Sequence, residues 1–145
     1  MNHINKTPKK VNTKSFKEQL DRDYPAYIGM DTHKETIAIS VADPGRGKPK
    51  FLTEIANDPK KVEKIVTTLS KKYIGEVLLF CYEAGPCGYE LYRFIVSQGH
   101  QCIVVAPSLI PKKAGDKIKT DKRDADNLTR LLRSGDLTPV FVPNV

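Results

Sequence analysis

Five apolar residues in a row, Val77-Leu-Leu-Phe-Cys81, constrain this chain more than any other feature. A short run without alternation is the pattern of a central strand covered on both faces. The covering layers can be read on either side of it. Asn57-Asp58-Pro59 offers a helix cap with proline in the first turn, and Val62, Ile65, Val66 and Leu69 recur at helical spacing to about Lys72. After the run, a second helix is expected from about Tyr89 to Gln98 and a short buried strand at Cys102–Ala106. Ahead of it, Tyr27–Asp31 and Thr36–Ala42 read as strands joined tightly through His33-Lys34-Glu35, with Lys50–Ile55 as a third strand beyond the Val41–Gly47 turn. A last helix is expected at Thr120–Ser134, stopped by Gly135. The order β-β-β-α-β-α-β-α predicts an α/β fold: a mixed sheet of about five strands, with a meander, crossover units and helices on both faces.

The last helix carries an anomaly. At about 100° per residue, Asp121 and Asp124 share a face with Ala125, Leu128, Leu131 and Leu132, whereas Asp126 falls on the side expected to face solvent. An acid aimed at a core is costly unless something positive meets it. Two further acids are placed by the strand order. Asp31 ends the first strand and Glu83 is expected just beyond the central strand. Those two strands are commonly neighbours, and sites in α/β sheets form outside the carboxyl ends of strands. Four converging carboxylates repel one another, and hard divalent cations, Mg²⁺ or Mn²⁺, relieve this. Two such ions about 3.5–4 Å apart suit phosphodiester chemistry. Each acid also has a structural explanation: a capping pair for Asp121 and Asp124, a strand terminus for Asp31, a solvated turn for Glu83. His33, two residues after Asp31, can be structural, can hold that acid by a hydrogen bond, or can act as an accessory base.

Net charge is +7 and the pI about 9.3, which favours polyanionic partners, nucleic acid first. Lys112, Lys113, Lys117, Lys119, Lys122 and Arg123 bracket the acidic helix start and could hold phosphates or simply form a solvated face. Tyr89 and Tyr92 could stack on bases or pack onto the sheet. Residues 1–25 read as a basic flexible tail, with a short helix possible around Ser15–Leu20, and residues 26–145 as one domain. The three cysteines, Cys81, Cys87 and Cys102, form no Cys-x-x-Cys pair; Cys81 and Cys102 are expected to be buried free thiols in a reducing, cytoplasmic setting without a zinc site. No apolar run approaches membrane-spanning length.

The motifs Tyr27-Ile-Gly-Met-Asp-Thr-His-Lys-Glu-Thr36, Tyr82-Glu-Ala-Gly-Pro-Cys-Gly-Tyr89, Pro107-Ser-Leu-Ile-Pro111 and Lys119-Thr-Asp-Lys-Arg-Asp-Ala125, with Leu131–Leu137 and Val140–Pro143, resemble those of the DEDD transposases. These are insertion-sequence recombinases, a family that includes the pilin-gene invertases. The resemblance covers roughly residues 26–143, the family's N-terminal domain. It implies a RuvC-like, RNase H-like fold, a metal-binding and catalytic tetrad of Asp31, Glu83, Asp121 and Asp124, and Mg²⁺-dependent DNA strand cleavage and exchange. It further implies a structured bridge RNA that specifies the DNA partners, and a protein that works as a homo-oligomer. The family continues into a second domain with a serine nucleophile, which is not found before Val145; neither Ser108 nor Ser134 is read as its replacement. The chain is therefore expected to be an isolated catalytic-acid domain that alone does not complete recombination. Other readings are a self-sufficient, Mg²⁺-dependent junction-resolving endonuclease and a catalytically idle nucleic-acid-binding module. An actin-like nucleotide-binding domain, suggested by Ile28-Gly-Met-Asp-Thr32, ranks last because no second glycine-rich phosphate motif follows.

Overall fold

The computed structural model describes residues 23–85, 88–106, 120–140 and 142, with Thr120 and Asp121 described through their backbone. The expected tail helix, Cys87 and the lysines 112, 113, 117 and 119 lie outside the described residues. The elements are β1 (Tyr27–Thr32), β2 (Thr36–Ala42), β3 (Lys50–Ala56), α1 (Pro59–Lys72), β4 (Leu79–Glu83), α2 (Glu90–Ser97), β5 (Gln101–Val105) and α3 (Thr120–Ser134). The sheet order is β3-β2-β1-β4-β5. The first three strands form an antiparallel meander, while β4 runs parallel to β1 and β5 parallel to β4. This is the α/β, RNase H-like arrangement expected of the chain.

Period-2 alternation splits the sheet into two faces. Ile28, Met30, Phe80, Tyr82, Cys102 and Val104 pack with α1 and α2 residues Val62, Val66, Leu69, Leu91, Tyr92 and Ile95. Tyr27, Leu79, Cys81, Ile103 and Val105 pack on the other face with Leu128 and Leu132 of α3, together with Tyr24, which precedes β1. Both faces are thus covered by helices, and Tyr92 is a core residue. The helix signals act as expected: Asp58 caps α1, its carboxylate accepting from Lys61 N–H, with proline in the first turn, and Gly135 follows α3 at φ +80°.

The central strand differs from its sequence expectation by two residues. Val77 and Leu78 precede β4, which continues through Tyr82 and Glu83 to pair with Val104 and Val105. The Leu78 N–H is taken instead by Nδ1 of His100 at 3.1 Å. Glu83 is therefore the last residue of the strand rather than a residue beyond it. Among the described residues no helix is long and apolar enough to cross a membrane.

Candidate functional site

The site is set by one row across the sheet. β1 and β4 are in parallel register, Met30 beside Tyr82, so one step further Asp31 stands level with Glu83 on the same face. Asp31 is buried, and Glu83 is half-buried. On the other side Asp31 pairs with Ala38, and Ala38 with the exposed Glu54. This is the face that α3 covers.

The direction of α3 follows from its contacts. At its C-terminal end, the Arg133 guanidinium donates to the carbonyls of Asp43 at 2.9 Å and Gly47 at 2.7 Å, in the turn beside the start of β1. The helix therefore runs antiparallel to β1, and its first turn lies toward the Asp31 end. Gly29 fixes the closeness of the crossing. A Cβ there would stand 2.3 Å from Thr129 Oγ1, 2.7 Å from Thr129 N and 3.0 Å from the Ala125 carbonyl. Helical rise puts Asp124 ~4.5 Å and Asp121 ~9 Å toward the N-terminal end of α3 from the Ala125–Thr129 midpoint. Asp31 lies ~7 Å beyond Gly29 along β1, so the two aspartates bracket its level along the strand.

Two side chains lock this docking. Thr129, fully buried, donates from Oγ1 to the Ser40 carbonyl at 3.2 Å and to its own helix at Ala125. The Ser40 hydroxyl, also buried, donates to the Asp126 carboxylate. Asp126 is thus not on a solvent face. It is half-buried and tied to β2, because the buried stripe of α3 is centred on Ala125, Leu128, Thr129 and Leu132. Asp124 and Asp126 flank that stripe on opposite sides, and Leu131 lies at its margin. Gly29, Ser40 and Thr129 were missed by sequence reasoning; a glycine inside an apolar strand is the one signal that pointed to a close backbone approach.

His33 follows the end of β1, and its Nε2 is 2.7 Å from Oδ2 of Asp31. Below Glu83, burial and then the Glu83 charge push the Cys81 thiol far up, and burial followed by Cys81 raises Cys102. Both are free, buried, neutral thiols. The donors at the sheet edge are accordingly carboxylate oxygens, the kind that suits hard divalent cations. Among the described residues no three His, Cys, Asp or Glu side chains gather closely enough to hold a metal, and the Asp121 side chain is outside that description. Lys122 and Arg123 are exposed on α3, with the Lys122 ammonium 5.7 Å from the Phe51 ring centroid. Ser134 lies at the far end of α3, bonded to Leu131 O and Asp136, remote from the acids. A cleft of about 560 Å³, lined by Lys34, Ile37, Asn57, Val62, Leu91 and Phe94 among others, opens on the α1–α2 side and contains none of the four acids.

Residues 28–145 match the family model of IS110-type DEDD transposases, described as a transposase. The chain belongs to the DEDD transposase family. It is 49% identical over 120 residues to the y4qE protein of Sinorhizobium fredii, covering 82% of this chain and 30% of that protein. It is 43% identical over 108 residues to the transposase for insertion sequence element IS1533 of Leptospira borgpetersenii, covering 74% of this chain and 31% of that one. The chain thus spans under a third of either relative. Among solved structures it is similar to T. thermophilus RuvC in complex with a Holliday junction substrate, at a TM-score of 0.41 and 12% identity, over 79% of this chain and 99% of that one. The family match includes every one of the four acids and the α3 segment that crosses Gly29.

Proposed function

We propose that this chain is the acid-bearing catalytic domain of a DNA recombinase, in which Asp31, Glu83, Asp121 and Asp124 hold Mg²⁺ or Mn²⁺ at a scissile phosphate. The observation that carries the reading is the antiparallel crossing of α3 over Gly29, which brings its first turn to the level of the Asp31–Glu83 pair. The donors fit the ion: they are hard oxygens, two of them on neighbouring strand ends, above a thiol held neutral. When bound, a pair of divalent ions would activate the attacking oxygen and stabilise the leaving one. The protein's own part is rigidity. Asp31 and Glu83 are fixed by the sheet, and Asp121 and Asp124 by a helix pinned through Thr129, Ser40 and Arg133. The sheet thereby sets two carboxylates and the helix sets two, so the spacing between the pairs depends on how closely α3 docks.

In this reading Lys122 and Arg123, with Lys112, Lys113, Lys117 and Lys119, neutralise phosphates flanking the site. His33 holds Asp31. The substrate is DNA, the full-length protein acts in the cytoplasm as a homo-oligomer, and a bridge RNA selects the sites. Calorimetric titration of this chain with Mn²⁺ tests the core of the proposal. Asp121→Asn and Asp124→Asn are each expected to weaken binding at least tenfold; unchanged affinity in both would remove the tetrad.

A further inference from the structure

Asn57 occupies the junction between β3 and α1, and it reaches a strand pair to which it does not belong. Its side-chain Nδ2 donates to the carbonyl of His33 at 2.7 Å, and its backbone N–H donates to the carbonyl of Glu35 at 2.9 Å. The same residue therefore grips both ends of the turn joining β1 and β2. A turn of this size is already closed by the His33 N–H to Thr36 carbonyl bond at 2.8 Å. The Asn57 grip adds something closure does not need: a fixed backbone orientation at His33. His33 then presents Nε2 to Oδ2 of Asp31 at 2.7 Å. The imidazole is 40% exposed and the carboxylate 11%. A ring that open to solvent has rotamers to lose, and a main chain already held in place leaves fewer degrees of freedom to fix when it bonds the acid.

We infer that Asn57 is a positioning residue for the Asp31 carboxylate, acting through His33. The inference rests on the proposed metal-binding role of Asp31. Its amide nitrogen holds the main chain of His33, and the imidazole holds one oxygen of the Asp31 carboxylate. Hydrogen-bonded partners of metal ligands typically matter 10–100-fold in metal affinity. A side-chain donor is required at this position because a carbonyl oxygen only accepts; an apolar residue of similar size would fill the space and leave the His33 carbonyl without this bond.

The test is a double-mutant cycle on this chain, with Mn²⁺ affinity measured by calorimetry and thermal stability followed in parallel. Asn57→Leu is expected to weaken Mn²⁺ binding roughly tenfold, and His33→Ala by at least as much. Because the two act in series, the double variant should bind no more weakly than His33→Ala alone. A Mn²⁺ affinity in Asn57→Leu within twofold of the parent, or independent losses that multiply in the double variant, would overturn the inference. The ¹⁵N shifts of the His33 ring supply a second reading that needs no metal. Asn57→Leu should move the Nε2 resonance as its bond to Asp31 loosens, and an unmoved resonance also overturns the inference. Asp31→Asn separates the two proposals. If it binds Mn²⁺ as the parent does, the metal reading of Asp31 fails, and the ring shifts alone decide whether Asn57 positions His33.

Discussion

Gly29 shows how one missing side chain can set a site. With the helix backbone where a Cβ would stand, Gly29→Ala must lift α3 from the sheet or move β1. Overpacking of this kind typically costs about 1–3 kcal/mol. Urea denaturation should show that loss, and Mn²⁺ affinity should fall with it, because Asp121 and Asp124 move with α3 while Asp31 and Glu83 stay. A stability loss with unchanged affinity would mean that the four acids do not depend on this crossing. His100 does comparable work at the opposite end of the sheet. Its Nδ1 accepts the Leu78 N–H and its Nε2 lies 2.7 Å from Ser70 Oγ, joining the starts of β4 and β5 to α1. The ring is buried and burial lowers its pKa from the ordinary 6.5. As pH falls below about 6.5, the unfolded chain takes up the proton before the folded one. The stabilisation is thus complete above that value and is lost as pH drops toward the folded pKa. His100→Ala should cost about 1–3 kcal/mol at pH 7.5 by leaving the Leu78 N–H unpaired. It should also flatten the decline in melting temperature between pH 7 and 5; a slope identical to the parent's would assign that decline to other groups.

Helix α3 carries two of the four proposed ligands, and among the described residues Ser40, Thr129 and Arg133 hold its docking by hydrogen bonds. Ser40 is fully buried and donates to Asp126. Ser40→Ala removes the donor and leaves a half-buried carboxylate short of a partner, a loss of about 1–3 kcal/mol. Adding Asp126→Ala should recover part of it, because the stranded acceptor is then gone; full additivity by chemical denaturation would show that the two side chains do not act as a pair. The limits of α3 were legible in the sequence, since a 3.6-residue period and a terminating glycine are local signals. The partner of Asp126 was not, because Ser40 is 86 positions away and only the fold brings it near. The same division holds elsewhere. The apolar run marked a central strand, but not its start two residues later, where Leu78 gives its N–H to His100, a tertiary contact. Asp31 and Glu83 could be paired from strand order alone. Of the residues that space them from α3, Gly29 carried one local signal, a glycine inside an apolar strand, whereas Thr129 carried none and only geometry exposes it.

At the scale of the molecule, the proposed site would set like charges against one another within a chain whose net charge is +7. In the proposed site Asp31 and Glu83 lie at the ends of neighbouring parallel strands, and the first turn of α3 would add Asp121 and Asp124. Such an arrangement favours the folded state more with a cation than without one, since an ion that binds only the native chain adds RT ln(1 + [L]/Kd) to its stability. At a Mn²⁺ concentration of about 100 Kd this is about 2.7 kcal/mol. For a domain of this size that corresponds to a rise in melting temperature of roughly 10 °C. Asp31→Asn is the informative control. Asparagine retains an oxygen that can accept the His33 bond but removes one negative charge from the row. The variant should melt no lower than the parent in the presence of a chelator, because repulsion is relieved while the hydrogen bond survives. It should then fail to gain from Mn²⁺, where the parent gains. An equal rise in both proteins would place the ion elsewhere on the surface, and a variant much less stable than the parent in chelator would make Asp31 a structural acid rather than a ligand.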